Sequence, residues 1–128
     1  MSHSDEVMNY ESALTLNSET RPGVRFTIRR VSLAGRNQLV RSVRDWSARQ
    51  EFLNAGEELQ DRIEANVLAN EIDALYIRWG LVRLDGLRID GSGASTETLI
   101  ESGPEDLARE IAAAVKRQLG LSQEERKN

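Results

Sequence analysis

The sequence contains no cysteine, and its single histidine, His3, stands at the extreme N-terminus of 128 residues. The absence of cysteine excludes disulfides and thiolate metal sites, and a cytoplasmic location follows by default. A lone terminal histidine reads as a solvated tail residue, and it leaves a Ser-His-Asp mechanism without its positioned base. Lysine is scarce, with Lys116 alone in the first 120 residues, and aromatics make up 5% of the chain. None of those aromatics is interleaved with basic groups, as a base-stacking platform requires. Long hydrophobic runs are also missing. A segment such as Ala112-Ala113-Ala114-Val115 is far too short to cross a membrane. The start, Met1-Ser2-His3-Ser4-Asp5-Glu6, is acidic and lacks the basic head and apolar centre of a signal peptide.

Candidate chemistry is equally thin. Glu64 and Glu71 fall two turns apart on one predicted helix, but acids in a charged helix ordinarily face solvent rather than flank a scissile bond. Asp90-Gly91-Ser92-Gly93 lacks the Lys-Ser/Thr ending of a P-loop and the acid ladder of an EF-hand, so it reads as a turn. The expectation is a protein with no catalytic residues, no cofactor and no metal, working by binding another protein.

What is present bounds the fold. The length allows one domain with a modest core. Apolar residues make up 39%, a little below an ordinary globular chain, which leaves room for partner-dependent segments. The net charge of -4 and a pI near 5.1 imply poor non-specific affinity for nucleic acid.

Along the chain, residues 1–11 are polar and acidic and read as a disordered arm, or as one that orders on binding. Pro22-Gly23 marks a turn. Val24, Phe26 and Ile28 then alternate with Arg25, Thr27 and Arg29, which predicts a half-buried strand, with Leu14 and Leu16 supplying its hairpin partner. Ser32 is placed to cap a helix over 33–53 whose stripe is Leu39, Val43, Trp46 and Leu53. Asn54-Ala55-Gly56 closes it. A second helix is predicted over 57–79, with an acidic first turn and a stripe of Leu59, Ile63, Val67, Ile72, Leu75 and Trp79. Trp46, Tyr76 and Trp79 sit on or beside these stripes, so core packing is expected of each, with an interface anchor as the alternative.

Residues 81–91 alternate again. Asp85-Gly86 fits either a two-residue hairpin turn or a bulge within one strand, and 92–95 read as loop. One or two helical turns are predicted over 96–102. Pro104 suits the first position of a last helix with the stripe Leu107, Ile111 and Val115, which Gly120 stops. Ser122-Gln123-Glu124-Glu125 reads as a capping box. The fold expected is α+β and mainly α-helical: three main helices with a small antiparallel β element from the N-terminal region and residues 82–90. It comprises a single domain over 12–121, followed by a flexible tail at 122–128.

The charges are segregated. From Arg21 to Arg49 there are eight arginines against one acid, and from Glu51 to Asp73 seven acids against one base. Two successive helices of opposite charge, joined by a short glycine loop, favour an antiparallel hairpin. The charges either solvate its faces and steer the helices together, or present an arginine face to an acidic partner.

The second half carries a recognisable pattern. Glu71-Ile72-Asp73-Ala74-Leu75-Tyr76-Ile77-Arg78-Trp79-Gly80-Leu81 leads to Leu87-Arg88-Ile89-Asp90-Gly91. Ala94-Ser95-Thr96-Glu97-Thr98-Leu99-Ile100 and Gly103-Pro104-Glu105-Asp106-Leu107 follow, and the chain ends Leu121-Ser122-Gln123-Glu124-Glu125-Arg126-Lys127-Asn128. Over roughly residues 60–128 this resembles the tail assembly chaperones of long-tailed phages and prophages. The resemblance implies a protein of the bacterial host cytoplasm that binds and solubilises the long helical tape measure protein, helps recruit tail tube subunits, and is absent from the finished virion. It also implies a longer product made by frameshifting near the end, for which the Lys127-Asn128 codons could form an A-rich slippery run. A helical client would lie in a groove between helices, with Leu68, Tyr76 and Trp79 as candidate anchors and Arg41 and Arg44 as rim charge. Self-association is possible; a membrane partner is not expected, and nucleic acid is disfavoured. A head-tail connector or tail completion protein, or an arginine-rich regulator binding nucleic acid, are the alternatives that the residues leave open.

Overall fold

The period-two segment predicted around Val24, Phe26 and Ile28 lies at the centre of a three-stranded antiparallel sheet in the computed structural model, which describes residues 6–120. Strand β2 (Arg25–Arg29) pairs with β1 (Ala13–Asn17) on one side and β3 (Leu81–Asp85) on the other. Phe26 and Ile28 point into the core and are almost wholly buried, while the Thr15 and Thr27 hydroxyls meet across the strands at 2.8 Å on the outer face. Residues 6–11 precede β1 without regular structure, and Arg30 lies over the Tyr10 ring there at 5.8 Å. Much of the predicted arm at 1–11, and all of the capping box and tail at 122–128, lie outside the described residues.

Helix α1 (Leu33–Asn54) starts where Ser32 Oγ accepts the Gly35 N–H, and α2 (Leu59–Gly80) follows after four residues. The pair is antiparallel: Trp46 sits beside Leu68 at one level, and Gly35 beside Trp79 at another. Helix α3 (Thr96–Ser102) opens with a Ser95/Thr98 capping box, and α4 (Glu105–Arg117) packs along the C-terminal half of α2. Leu107, Ile111 and Val115 are the buried stripe of α4, as their spacing predicts. Gly80 lets α2 and α4 close up, because a Cβ there would collide with Val115. The architecture is α+β and mainly helical, with one core shared by the sheet, the proximal half of the hairpin, α3 and α4.

Four local expectations are revised. The Asp-Gly hairpin forms at Asp90-Gly91, not at Asp85-Gly86: β4 (Arg88–Ile89) pairs with β5 (Ser92–Gly93) across Asp90 and Gly91, whose φ angles of 53° and 84° are both positive, as a tight hairpin turn requires. Gly86, at φ 84°, instead passes so close to the Gly23 backbone that no Cβ would fit. The bulge expected at Gly86 does not form there, and the strand irregularity falls at Val82, where the β2–β3 register slips and the side chain is turned out to solvent. Pro104 occupies the cap of α4 rather than its first residue. Finally, the N-terminal part of the α2 stripe and Trp46 are not core.

Candidate docking site on the helical hairpin

Helix α2 has two apolar faces, and they end differently. Toward α1 it presents Ala65, Leu68, Ile72 and Tyr76, all buried. Small Ala65 lets the helices approach closely at the distal end of the hairpin. The other face runs through Leu59, Ile63, Val67, Asn70, Ala74 and Ile77, a spacing of three and four residues that keeps all six on one side. At the C-terminal end of that seam, Ala74 and Ile77 are buried against α3 and α4. At the N-terminal end the described residues leave it largely open: Leu59 is 71% exposed, Ile63 53% and Val67 47%. The cause is length. Helices α3 and α4, of seven and 13 residues, cover only the proximal half of a 22-residue α2.

Within the covered half, where α2 meets α3 and α4, lies an open groove of about 230 Å³, lined by Ala74, Ile77, Leu99, Ile100 and Ala108, with Arg109 at its edge. Arg109 is fixed there by Glu105 at 2.6 Å, Asp73 at 3.2 Å and Asn70 at 2.9 Å. The bond to Glu105, with the charges of Glu105 and Asp73, raises its pKa despite some desolvation. Lys116 also reaches Asp73, at 2.7 Å, so one carboxylate on α2 ties down two positions of α4. Among the described residues no group of three or more acids or histidines could hold a metal, and no helix is long and apolar enough to cross a membrane.

The residues singled out from sequence separate. Leu68 is buried but lines an open cleft with Asp45, Trp46 and Arg49. Tyr76 is 6% exposed inside the core, with the Lys116 ammonium 5.2 Å from its ring centre. Trp79 is half-buried under Arg29, 5.3 Å from its ring centre, and its buried Nε1 has no hydrogen-bond partner among the described residues. Arg41 and Arg44 are exposed on α1, and Arg44 lies 3.8 Å from Asp45. Neither lines the Leu68 cleft, where Arg49 and Asp45 are the charged groups. Nothing in its sequence pattern sets Arg49 apart from the other arginines of the 21–49 block, and the stripe spacing predicts Ile63 and Val67 as core. A comparison of each stripe with the length of the helices available to cover it carried the missing signal.

The arginines do not form one surface. Arg29 and Arg30 stack on aromatic rings, Arg36 donates to the Leu119 carbonyl, and Arg21 pairs with Asp106 at 3.2 Å. Comparison with family models, with curated proteins and with solved structures finds no match to this chain.

Proposed function

We propose that this protein binds a helical segment of another protein along the bare seam of α2, and that it acts as a tail assembly chaperone whose client is the tape measure protein. The observation that carries the docking reading is the seam itself: an apolar stripe interrupted at Asn70, covered on one side of it by the chain's own α3 and α4 and exposed on the other at Leu59, Ile63 and Val67. An amphipathic client helix laid there would extend the packing that α4 already makes. Magnitudes bear on how it would bind. Three half-exposed aliphatic side chains contribute about 3 kcal/mol on burial, against about 8 kcal/mol for a micromolar complex. A client therefore needs a further anchor, and the groove beside Ile77, Leu99 and Ala108 adjoins the seam.

The sequence resemblance over residues 60–128 supports the chaperone role, with recruitment of tail tube subunits and a place in the host cytoplasm rather than in the virion. The dispersal of the arginines favours a protein partner over nucleic acid. A tagged pull-down from cells with the parent phage or prophage induced tests the reading. Recovery of a very long helix-rich phage protein, lost with Ile63→Asp, is the expected result. Recovery of mature tail or capsid proteins alone would assign a structural part instead, and salt-sensitive recovery of nucleic acid would assign the arginine-rich regulator.

A further inference from the structure

The hairpin has a second unfilled surface, separate from the bare seam. Trp46 follows Leu39 and Val43 on the stripe that α1 turns toward α2, yet it is 39% exposed. With Asp45, Arg49 and Leu68 it lines an open cleft of about 180 Å³. Glu64 and Glu71 lie one turn either side of Leu68 on α2. Positive and negative charges thus stand side by side on this surface, Arg49 and Asp45 on α1 and the two glutamates on α2. They do not neutralise each other within the chain: among the described residues no ion pair joins α1 to α2, and the ion pair that α1 makes is the neighbouring Arg44–Asp45 contact.

We propose that this face is the interface of a homodimer, in which Trp46 of each copy fills the Leu68 cleft of the other and Arg49 of each meets Glu64 of the other. The register follows from the hairpin. Because the helices are antiparallel with Trp46 level with Leu68, Arg49 is level with Ala65, one residue from Glu64. A two-fold axis parallel to the hairpin sets α1 of one copy over α2 of the other without shifting these levels. Trp46 then lies over Leu68, and Arg49 lies beside Glu64, twice by symmetry. An apolar centre holding one aromatic anchor, ringed by complementary charge, is the ordinary anatomy of a specific interface. Size is compatible: two 22-residue helices offer a face about 33 Å long and about 20 Å wide, on the scale of the roughly 800 Å² per partner of a standard interface. The occupant is a second copy rather than an unrelated protein because both the anchor and its cleft, and both signs of charge, are on the same surface.

Sedimentation velocity of the full chain over a wide concentration range is the test. The expected result is a monomer–dimer equilibrium that weakens as salt rises. Trp46→Glu should yield a monomer whose thermal unfolding resembles that of the parent at concentrations low enough for the parent to be monomeric as well. Arg49→Glu and Glu64→Arg should each weaken dimerisation about tenfold or more, and the double variant should recover it, since opposite charges then meet again. A cysteine-free chain allows a second measurement that does not depend on how a glutamate at position 46 is tolerated. Arg49→Cys and Glu64→Cys chains, mixed under mild oxidation, should cross-link to each other in preference to themselves. A chain that stays monomeric at low salt up to its solubility limit, a dimer unaffected by Trp46→Glu, or cross-linking without that preference would each overturn the proposal. These readouts concern Trp46, Arg49 and Glu64, whereas client capture depends on Ile63, so either conclusion can fail alone.

Discussion

Glu110 joins two parts of the chain that are distant in sequence. Its carboxylate on α4 accepts hydrogen bonds from Ser18 Oγ at 2.6 Å, the Glu19 N–H at 2.7 Å and Thr20 Oγ1 at 2.8 Å, so the turn after β1 is clamped to the helix. Partial burial disfavours the charged form, but these hydrogen bonds outweigh it and hold the Glu110 pKa below the ordinary glutamate value. A carboxylate with a lowered native pKa stabilises the fold fully above the unfolded pKa, and the gain disappears as pH falls through the native value. Acid titration of stability should therefore show a loss that begins as pH falls into the usual glutamate range, is complete only below the lowered native value, and is smaller in Glu110→Gln. At neutral pH that variant should cost about 1 kcal/mol by chemical denaturation, because an amide offers a donor where three donors already point. Tyr76 illustrates the opposite lesson. As an interface anchor it should tolerate truncation; in the core it should not, and Tyr76→Ala should destabilise the fold by about 3 to 5 kcal/mol, read by the same method. An unchanged midpoint would return Tyr76 to the list of client contacts.

At the scale of elements, much of the fold was legible because local signals agreed. The alternation at Arg25–Arg29, the Ser32 cap and the Leu107/Ile111/Val115 stripe each specify one element, and the structure contains all three. The errors arise where two equivalent signals compete, or where burial depends on something distant. Two Asp-Gly pairs occur five residues apart, and only the second closes a hairpin, because β3 is claimed by β2 and Gly86 is wedged against Gly23. On α2, Leu59, Ile63 and Val67 have the period of a buried stripe, but periodicity cannot say whether a covering helix reaches that far. The same residues give a direct check. Leu59→Glu and Ile63→Asp should leave stability within about 0.5 kcal/mol of the parent, whereas Ala65→Leu should overpack the α1–α2 contact and cost about 1 to 3 kcal/mol. If Ile63→Asp instead collapses the fold, the seam is structural and the docking site is lost with it.

For the molecule as a whole, cover is unequal from one end of the hairpin to the other. Among the described residues the proximal half is packed by the sheet, α3 and α4, while the distal half, from Trp46 through the 55–58 turn to Leu68, has little beyond its own two helices. An isolated pair of helical segments of this length is marginal in water, so the distal half should open locally at a lower free energy than the core. Native-state hydrogen exchange gives this a concrete form. Amides of α2 around Ile63 to Val67 should exchange well before those around Ile72 to Ile77, although both belong to one continuous helix. Two ligands should then slow that exchange by different routes. Raising the protein concentration should protect the distal half through the Trp46 face and should have no such effect in Trp46→Glu. A client helix should protect it through Leu59, Ile63 and Val67, and should still do so in the Trp46→Glu monomer. Uniform protection along α2 in the free monomer would mean that the distal hairpin is as stable as the core, and that its exposed apolar surface is not a consequence of missing cover.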